Sequence, residues 1–265
     1  MSAASVEEWA LILGASSGFG EATAMELGKS GFNIFGVHLD RKATMPNVER
    51  IVSAIENMGR KARFFNINAA DATARDKVLD EIAAATGQKP TVRVLLHSLA
   101  FGTLKPFIAQ DPAEAITAAQ LEMTLDVMSS TLVYWTQGLL QRGLMGRGGR
   151  IFAMTSSGSQ RVIAAYGAVS AAKSALESHI RQLAYELAPL GITANAIRAG
   201  VTDTPALRKI PGHESLAATA ARINPSGRLT TPQDVAAAIA ALCDERLYWM
   251  TGNVINVDGG ENITG

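Results

Sequence analysis

The sequence contains little of what marks secreted or nucleic-acid-binding proteins. Its 265 residues include a single cysteine, Cys243, so no disulfide can form within the chain, as is typical of proteins in a reducing compartment. The 24 basic residues equal the 24 acidic ones in number. A net charge of zero gives no electrostatic reason to expect nucleic acid or an anionic membrane as a partner. We therefore expect a cytoplasmic protein with neither partner.

Long apolar runs and a secretion signal are also missing. The longest apolar runs, such as residues 236–243, fall far short of the roughly 20 residues that a membrane-spanning helix requires. The first residues include acidic side chains and no basic one ahead of a short apolar stretch, which does not predict a signal peptide. No repeat, low-complexity tract or shift of composition divides the chain, so residues 1–265 are predicted to form one domain.

Short apolar segments alternate with longer amphipathic ones along the chain. The predicted strands are residues 9–15, 33–39, 62–68, 93–100, 149–157, 192–200 and 252–260. The predicted helices include residues 20–31, 48–59, 112–142 and 164–191. Strands that alternate with helices indicate a parallel sheet covered on both faces. The predicted fold class is therefore α/β, with a doubly wound, Rossmann-like parallel sheet of about seven strands.

A glycine-rich turn, GASSGFG, follows the first predicted strand. Gly14 allows a tight turn, Gly18 lets the backbone approach a pyrophosphate, and Gly20 permits close packing of helix on strand. The helix that follows would offer free N–H groups to the phosphates. Because the turn opens the first strand–helix unit, it predicts a dinucleotide-binding site. The residues of the turn that are predicted to line this site are Gly14, Ser16, Ser17, Gly18, Phe19 and Gly20.

The end of the second predicted strand bears on the choice of cofactor. An acid there would bind the ribose hydroxyls of NAD, whereas a basic residue favours the 2′-phosphate of NADP. His38 stands where the acid is expected, and Asp40, Arg41 and Lys42 follow it. The missing acid and the adjacent cations favour NADPH over NADH, although such a cluster can also be only a solvated loop. Besides His38 and Arg41, the candidate cofactor contacts are Asn68 (for adenine), Ala69, Ser98, Gly200, Thr202 and Thr204.

The segment AAYGAVSAAK, residues 164–173, places a tyrosine and a lysine on one predicted helix. Tyr166 and Lys173 are separated by close to two helical turns, so they share a face about 10 Å apart along the axis. An ammonium near a phenol lowers the phenol's pKa, which would make Tyr166 a better proton donor. The pair follows a strand of a dinucleotide-binding fold that ends in Ser156 and Ser157. Tyr166, Lys173 and Ser156 are therefore the predicted catalytic residues.

Together these motifs resemble the short-chain dehydrogenase/reductase superfamily across nearly the whole chain. The resemblance also rests on NAIRAG at 195–200 and VDGG at 257–260. Most members have Y-x3-K, which would require a tyrosine at Val169. The Y-x6-K spacing and HSLAFG at 97–102 instead resemble the enoyl-acyl-carrier-protein reductases, and Asp126 stands where most superfamily members carry a helix asparagine.

Two departures from the pattern of typical enoyl reductases narrow the resemblance to one branch of that family. Typical enoyl reductases often carry a second tyrosine ten residues before the catalytic one, where this chain has Ser156, and many have a looser cofactor turn. Both departures are shared by a divergent, NADPH-using bacterial branch, which this chain resembles. The resemblance implies reduction of the 2,3 double bond of an enoyl thioester of acyl carrier protein or CoA, in fatty acid synthesis. Residues 203–226 are expected to form a mobile flap over the acyl chain.

The shifted tyrosine gives a chemical reason for that activity. A ketone reductase must protonate the oxygen of the carbon that receives hydride. In an enoyl thioester the hydride goes to the β-carbon, and negative charge develops on the thioester oxygen, two carbons away. Moving the tyrosine back by one turn, about 5 Å, suits this second arrangement. Two alternatives stay open: a carbonyl or hydroxyl dehydrogenase that uses a shifted tyrosine, and a catalytically silent NADP-binding sensor.

The long predicted helices also suggest association between chains. They carry apolar residues that one sheet face is not expected to cover fully: Leu132, Trp135, Leu176 and Leu183. Surplus apolar surface favours symmetric association, and the superfamily resemblance likewise implies a homotetramer. The four histidines are scattered without the spacing typical of metal ligands, so no metal is expected.

Overall fold

A computed structural model describes residues 7–87 and 89–264. Within these ranges the chain forms a seven-stranded sheet whose neighbouring strands all run parallel. The strands are β1 (Trp9–Leu13), β2 (Asn33–His38), β3 (Ala62–Asn66), β4 (Val92–His97), β5 (Arg150–Thr155), β6 (Thr193–Ala199) and β7 (Val254–Val257). Their order across the sheet is β3-β2-β1-β4-β5-β6-β7. The predicted doubly wound α/β fold and its seven strands are therefore confirmed.

Helices cover both faces of this sheet. They are α1 (Gly18–Lys29), α2 (Met45–Asn57), α3 (Ala72–Thr86), α4 (Ala118–Leu125), α5 (Thr131–Gln141), α6 (Gly167–Leu187), α7 (His213–Ile223) and α8 (Pro232–Leu242). The predicted helices at 20–31, 48–59 and 164–191 correspond to α1, α2 and α6, with ends that differ by a few residues. Helices α3, α7 and α8 were not among the predicted elements.

The single helix predicted over residues 112–142 is wrong, because this segment is broken. A 3-10 turn at Pro112–Glu114 precedes α4, and a π-helical turn at Asp126–Ser130 separates α4 from α5. Thr131 Oγ1 donates to the carbonyl oxygen four residues earlier (2.9 Å) and lies 2.8 Å from Nε2 of His97. The irregular turn is thereby tied to the end of β4, and π turns of this kind are frequent at functional sites.

Two apolar cores lie on opposite faces of the sheet. Successive side chains of a strand point to opposite faces, so Leu11 and Leu13 enter the core under α3, α5 and α6. Ala10 and Ile12 enter the core under α1, α2 and α8. Because β1 is buried on both faces, it reads in the sequence as a continuous apolar run rather than an alternating one.

The apolar helix residues that were expected to leave surplus surface are buried within the chain itself. The exposed fractions of Leu132, Trp135, Leu176 and Leu183 are 0%, 0%, 0% and 6%. That argument for association is therefore wrong, since α5 and α6 bury these side chains against the chain's own sheet. In the described part of the chain, no helix is both long and apolar enough to cross a membrane.

The strand order reverses between β1 and β4. Strands β2 and β3 continue the sheet on one side of β1, and the later strands continue it on the side of β4. In open sheets of this kind, ligands bind in the crevice at the carboxyl ends of the strands where the order reverses. The loops after β1 and β4, and their neighbours, therefore form the edge at which a functional site is expected.

Candidate active site

The glycine turn between β1 and α1 is closely packed. Gly14 has a φ of +89°, and a Cβ there would stand 2.4 Å from the carbonyl oxygen of Ser98, directly after β4. A Cβ on Gly20 would stand 2.0 Å from the carbonyl oxygen of Gly14. Gly18 begins α1 with a φ of +56°, in the left-handed region that side chains disfavour. The backbone itself thus requires all three glycines that the sequence singled out.

The N-terminus of α1 is shaped to receive an anion. Ser17 is the N-cap residue, exposed and with extended backbone, but its side chain makes no capping hydrogen bond. The first N–H groups of α1 therefore lack a side-chain cap at the positive end of the helix dipole. In the same turn, the Ser16 carbonyl accepts a hydrogen bond from Asn47 Nδ2 (2.8 Å), and Phe19 packs against the core under α1. These features fit the pyrophosphate of a dinucleotide.

An acid does lie near this turn, although not at the expected position. His38 ends β2 with its side chain buried, and its Nδ1 is 3.0 Å from Asp40 Oδ2. Asn66 fixes the Asp40 backbone, accepting from its N–H and donating to its carbonyl, each at 2.9 Å. Burial raises the pKa of Asp40, but hydrogen bonds from Ser16, Thr44 and His38 together hold it below its ordinary value. In the sequence alone, Asp40 is only one member of a charged cluster after the second predicted strand.

The other predicted adenosine-side residues lie at the same sheet edge. Arg41 is exposed just after β2. Asn68 is exposed two residues beyond β3, and its Oδ1 accepts a hydrogen bond from Ala70 N (3.0 Å). The carbonyl oxygen of the adjacent Ala69 accepts from the indole N–H of Trp135 (3.0 Å). These residues come together because the carboxyl ends of parallel neighbouring strands meet at one edge.

Lys173 lies in the second turn of α6 and is buried. Its Nζ donates a hydrogen bond to the carbonyl oxygen of Met154 on β5 (2.7 Å). Burial lowers the pKa of Lys173 to about 8, and the carboxylate of Glu177 opposes that shift. At neutral pH the ammonium is still the main form, with two further N–H groups for other acceptors.

Tyr166 stands at the entrance to α6 rather than inside it. The helix begins at Gly167, so Tyr166 is its N-cap residue. Ala165 before it has a φ of +59°, the only positive φ among the non-glycine residues that the structure describes. Burial raises the pKa of Tyr166, and the neighbouring Ser156 hydroxyl only partly offsets this. The predicted lowering of this pKa by Lys173 is therefore wrong for the present structure, because burial dominates.

Ser156 follows β5 and faces the tyrosine. A Cβ on Gly158 would stand 2.6 Å from Tyr166 Cε1 and 3.2 Å from Ser156 Oγ, so the two side chains are close neighbours. Apart from the nearby phenol, the buried Ser156 hydroxyl has no hydrogen-bond partner among the described residues. An unsatisfied buried polar group costs about 1–3 kcal/mol and is often found where a ligand supplies the partner.

His97 is a further unsatisfied group that the sequence reasoning did not assign to the site. Thr131 Oγ1 has one proton, which it donates to a carbonyl oxygen, so Nε2 of His97 must be the donor in their 2.8 Å contact. Its Nδ1 is then an acceptor, and it is buried without a partner in the described chain. Burial, and next the Lys173 charge, lower the pKa of His97 to about 3. The motif HSLAFG, which begins with His97, was the sequence signal that could have assigned this histidine to the site.

The loop after β6 lies against the glycine turn. A Cβ on Gly18 would stand 3.5 Å from Thr204 Cγ2, and a Cβ on Gly200 would stand 2.4 Å from Thr230 Oγ1. Thr202 is buried and its Oγ1 donates to the Gly200 carbonyl (2.9 Å). Of the predicted contacts from this loop, Thr204 therefore stands beside the turn that begins α1, and Gly200 and Thr202 lie in the same loop, held by Thr230 and by each other.

The C-terminal segment braces this loop, which the sequence did not indicate. Glu261 is buried, and its Oε2 accepts a hydrogen bond from Val201 N (2.9 Å). Burial raises the pKa of Glu261, and that backbone hydrogen bond opposes the rise. The expected flap, residues 203–226, contains a 3-10 turn and α7, and Asn224 near its end donates to the Asp258 carbonyl (2.8 Å). The mobility of the flap stays a prediction.

Comparison with known proteins shows the family that the chain resembles. A family model described as enoyl-(acyl carrier protein) reductase matches residues 14–262. The enoyl-[acyl-carrier-protein] reductase [NADH] FabI of Aquifex aeolicus is 31% identical over 172 residues, which are 65% of this chain and 63% of that protein. The 1-cyclohexenylcarbonyl-CoA reductase of Streptomyces collinus is 28% identical over 256 residues, 96% of this chain and 86% of that protein.

Solved structures extend the likeness to the whole fold. A crystal structure of enoyl-[acyl-carrier-protein] reductase (NADH) from Aquifex aeolicus superposes with a TM-score of 0.84 and 25% identity, covering 98% of each chain. A short-chain dehydrogenase from Burkholderia cenocepacia in complex with NADP gives a TM-score of 0.81 and 26% identity, covering 97% of this chain and 99% of that one. The chain therefore belongs to the enoyl-(acyl carrier protein) reductase family of short-chain dehydrogenases/reductases, oxidoreductases that bind a nicotinamide cofactor.

Proposed function

We propose that this protein reduces the 2,3 double bond of an enoyl thioester of acyl carrier protein or CoA, with NADPH, in the fatty acid synthesis of the cytoplasm. The observation that carries the proposal is the buried hydroxyl of Ser156, which faces the phenol of Tyr166 and has no other partner among the described residues. A substrate oxygen that approached this pair would meet two O–H groups. The Lys173 ammonium lies further along the chain, on α6. That arrangement suits a site where negative charge develops on an oxygen.

The surroundings of Val169 favour an enoyl thioester over a ketone. Val169, where a ketone reductase of this superfamily would carry its tyrosine, is buried in an apolar cluster with Met128. A Cβ on Gly102 would already stand 3.0 Å from Val169 Cγ2 and 2.8 Å from Met128 Sδ. Val169 is therefore closely packed, which supports the assignment of Tyr166 as the phenol of the reaction.

The residues present fit a dinucleotide. The pyrophosphate would be held by the uncapped N-terminus of α1 and by the turn that contains Gly14 and Gly20. No side chain fits at these two glycines, because the backbone approaches itself so closely there. Lys173 has two N–H groups beyond its bond to the Met154 carbonyl, and we assign these to the nicotinamide ribose. When bound, the nicotinamide supplies the hydride that the β-carbon of the enoyl thioester receives.

The raised pKa of Tyr166 suits a hydrogen-bond donor. Because burial favours the neutral phenol, Tyr166 keeps its proton at neutral pH and donates it in a hydrogen bond to the thioester oxygen. The enolate that forms there gains the stabilisation that an oxyanion site provides, and the reduction is completed when the α-carbon takes up a proton from solvent. Ser156, which lies beside the phenol, orients it or binds the same oxygen. His97 stays neutral and presents its unpaired Nδ1 as an acceptor near Lys173.

NADPH is proposed over NADH on the exposed cations after β2. Arg41 and Lys42 are both exposed next to the strand end, where a 2′-phosphate would lie. The Asp40 carboxylate works against this preference, although its hydrogen bonds to His38 and Ser16 already occupy it. The two solved relatives above differ in the same way, since one is named for NADH and the other contains NADP.

Consumption of NADPH with crotonyl-CoA and with acetoacetyl-CoA, measured side by side, tests the proposal. We expect turnover with the enoyl thioester and little with the ketone. Turnover of the ketone alone would identify a carbonyl reductase, and NADPH binding without turnover of either would identify a silent sensor. Tyr166→Phe should abolish most of the activity. Tyr185→Phe, an exposed tyrosine at the far end of the same helix, is the matched control.

The proposal also includes a homotetramer, but the argument for it now depends on exposed residues rather than on the buried helix residues considered above. Large apolar side chains that one chain leaves exposed include Tyr185, Tyr248 and Trp249, at 79%, 60% and 84%. Gly252, just after these aromatic residues, lies against Ala184 of α6, where an added Cβ would stand 3.6 Å from the alanine side chain. The exposed aromatics therefore belong to one region of the surface, which favours burial against a second copy.

A further inference from the structure

A buried ion pair lies one turn beyond Lys173 on α6, and the reaction proposed above does not use it. Oε1 of Glu177 is 3.2 Å from Arg198 Nη2, and the two side chains are 9% and 6% exposed. Removing both charges from water is unfavourable, so a buried ion pair is weak evidence for stability. Its position beside the active site indicates a different role.

The Glu177 carboxylate holds the segment that carries Ser156. Its Oε1 is 2.7 Å from Thr155 Oγ1 and 2.8 Å from Ser159 Oγ, so it contacts hydroxyls on both sides of Ser156. The Ser159 hydroxyl also lies 2.9 Å from the Ser156 carbonyl oxygen. The same segment is held from β6, because Arg198 Nη1 donates to Gln160 Oε1 (3.0 Å). Ser156 is thus fixed through its neighbours, while its own Oγ has no partner among the described residues apart from the nearby phenol.

The same carboxylate acts on Lys173. Residues four apart on a helix share a face, so Glu177 stands one turn from the buried ammonium. Burial disfavours the charged lysine, and the Glu177 charge opposes that effect. The titratable and charged groups around this part of the site are Glu177 and His179 of α6, Tyr166 at its start, His97 of β4 and Arg198 of β6. Of these, Glu177 is the acid whose charge acts on Lys173.

We propose that Glu177 is a positioning residue of the active site, which holds the Ser156 segment in place and keeps Lys173 in its ammonium form. Arg198 limits this effect, because its positive charge compensates part of the negative charge that Lys173 experiences. The inference rests on the proposed function in one respect, the assignment of Lys173 to the cofactor ribose.

The pH dependence of cofactor affinity tests this role without any turnover. The dissociation constant of NADPH, or of NADH if it binds more tightly, is measured by nucleotide fluorescence across neutral and alkaline pH. Affinity should fall as Lys173 loses its proton. Glu177→Gln keeps the side-chain size and an acceptor oxygen but removes the charge, so this fall should move to lower pH by about one unit. Arg198→Gln should move it in the opposite direction. Thr155→Val, which removes a hydrogen bond and no charge, should leave its pH unchanged.

Opposite shifts distinguish positioning by charge from a merely structural role. Damage to packing would weaken binding in both single variants without moving the alkaline fall in opposite directions. If Glu177→Gln does not fold, Arg198→Gln and the double variant Glu177→Gln/Arg198→Gln test the inference instead. The pH at which affinity falls should move up in Arg198→Gln and return towards the wild-type pH in the double variant. Shifts in one direction, or none in Arg198→Gln, would overturn the inference. A wild-type protein with this binding profile that reduces no enoyl thioester would refute the proposed function alone.

Discussion

The phenol of Tyr166 is the group on which the proposed chemistry depends. If its O–H stabilises the enolate, Tyr166→Phe should lower turnover of an enoyl thioester by roughly 10²–10⁴ while NADPH affinity stays nearly unchanged. Lys173→Ala should weaken both, because the ammonium is assigned to the ribose as well. Steady-state rates and nucleotide fluorescence measure the two effects. Near-wild-type turnover in Tyr166→Phe would make the tyrosine a packing residue.

Ala165, immediately before the tyrosine, adopts a backbone conformation that its side chain disfavours. Its φ of +59° lies in the left-handed region, which β-branched residues tolerate least. Ala165→Val should therefore lower the free energy of unfolding by about 1–3 kcal/mol, whereas Ala165→Gly should lower it little or not at all. Urea denaturation of both variants measures the difference. Equal stability of the valine and glycine variants would contradict the strain that the backbone indicates.

We expect single residues at the end of β2 to decide the choice of cofactor. NADPH should give a higher kcat/KM than NADH, because Arg41 and Lys42 are exposed where a 2′-phosphate would lie. Asp40→Asn should increase that preference further, since it removes a carboxylate that repels the phosphate. Arg41→Ala should decrease it. Equal or better kcat/KM with NADH in the wild type would show that Asp40, rather than the cations, sets the choice.

At the scale of elements, strands could be predicted from the sequence more reliably than helices. Most of the strands are buried on both faces and appear as apolar runs, whereas β3 and β7 are only partly buried. The predicted ends of β1 and β5 lie close to the observed ends. The break between α4 and α5 could not be predicted, because it accompanies a contact between Thr131 and His97, which are 34 residues apart. Likewise, the apolar periodicity of α6 gave no sign that the helix begins only after Tyr166.

The contact between β4 and the π turn should make stability depend on pH. His97 has a pKa of about 3 in the fold, against an ordinary value of 6.5. The unfolded chain therefore binds a proton at pH values where the folded chain does not, so stability falls as pH drops from about 6.5 towards 3. Between pH 6.5 and 5 this amounts to roughly 1.6 kcal/mol. Urea unfolding at the two pH values should show this loss in the wild type and a smaller loss in His97→Asn.

At the scale of the whole molecule, the doubly wound topology explains which site residues the sequence could reveal. Residues that directly follow strands, such as Gly14, Ser98 and Ser156, share one sheet edge, so strand ends were enough to find them. Glu177 and Glu261 could not be found in this way. Their roles depend on tertiary hydrogen bonds, such as that between Glu261 and Val201, for which no local sequence pattern exists.

Association of chains is the property of the whole molecule that is most directly testable. The surface around the end of α6 exposes Tyr185 and Trp249, at 79% and 84%, and exposed aromatic groups of this kind favour burial against a second copy. Light scattering at micromolar concentration should therefore give the mass of four chains. Trp249→Ser should shift the distribution towards smaller species, whereas Val162→Ser, fully exposed on the loop before α6, should not. A stable wild-type monomer at that concentration would contradict the tetramer and leave these aromatic residues without a partner surface.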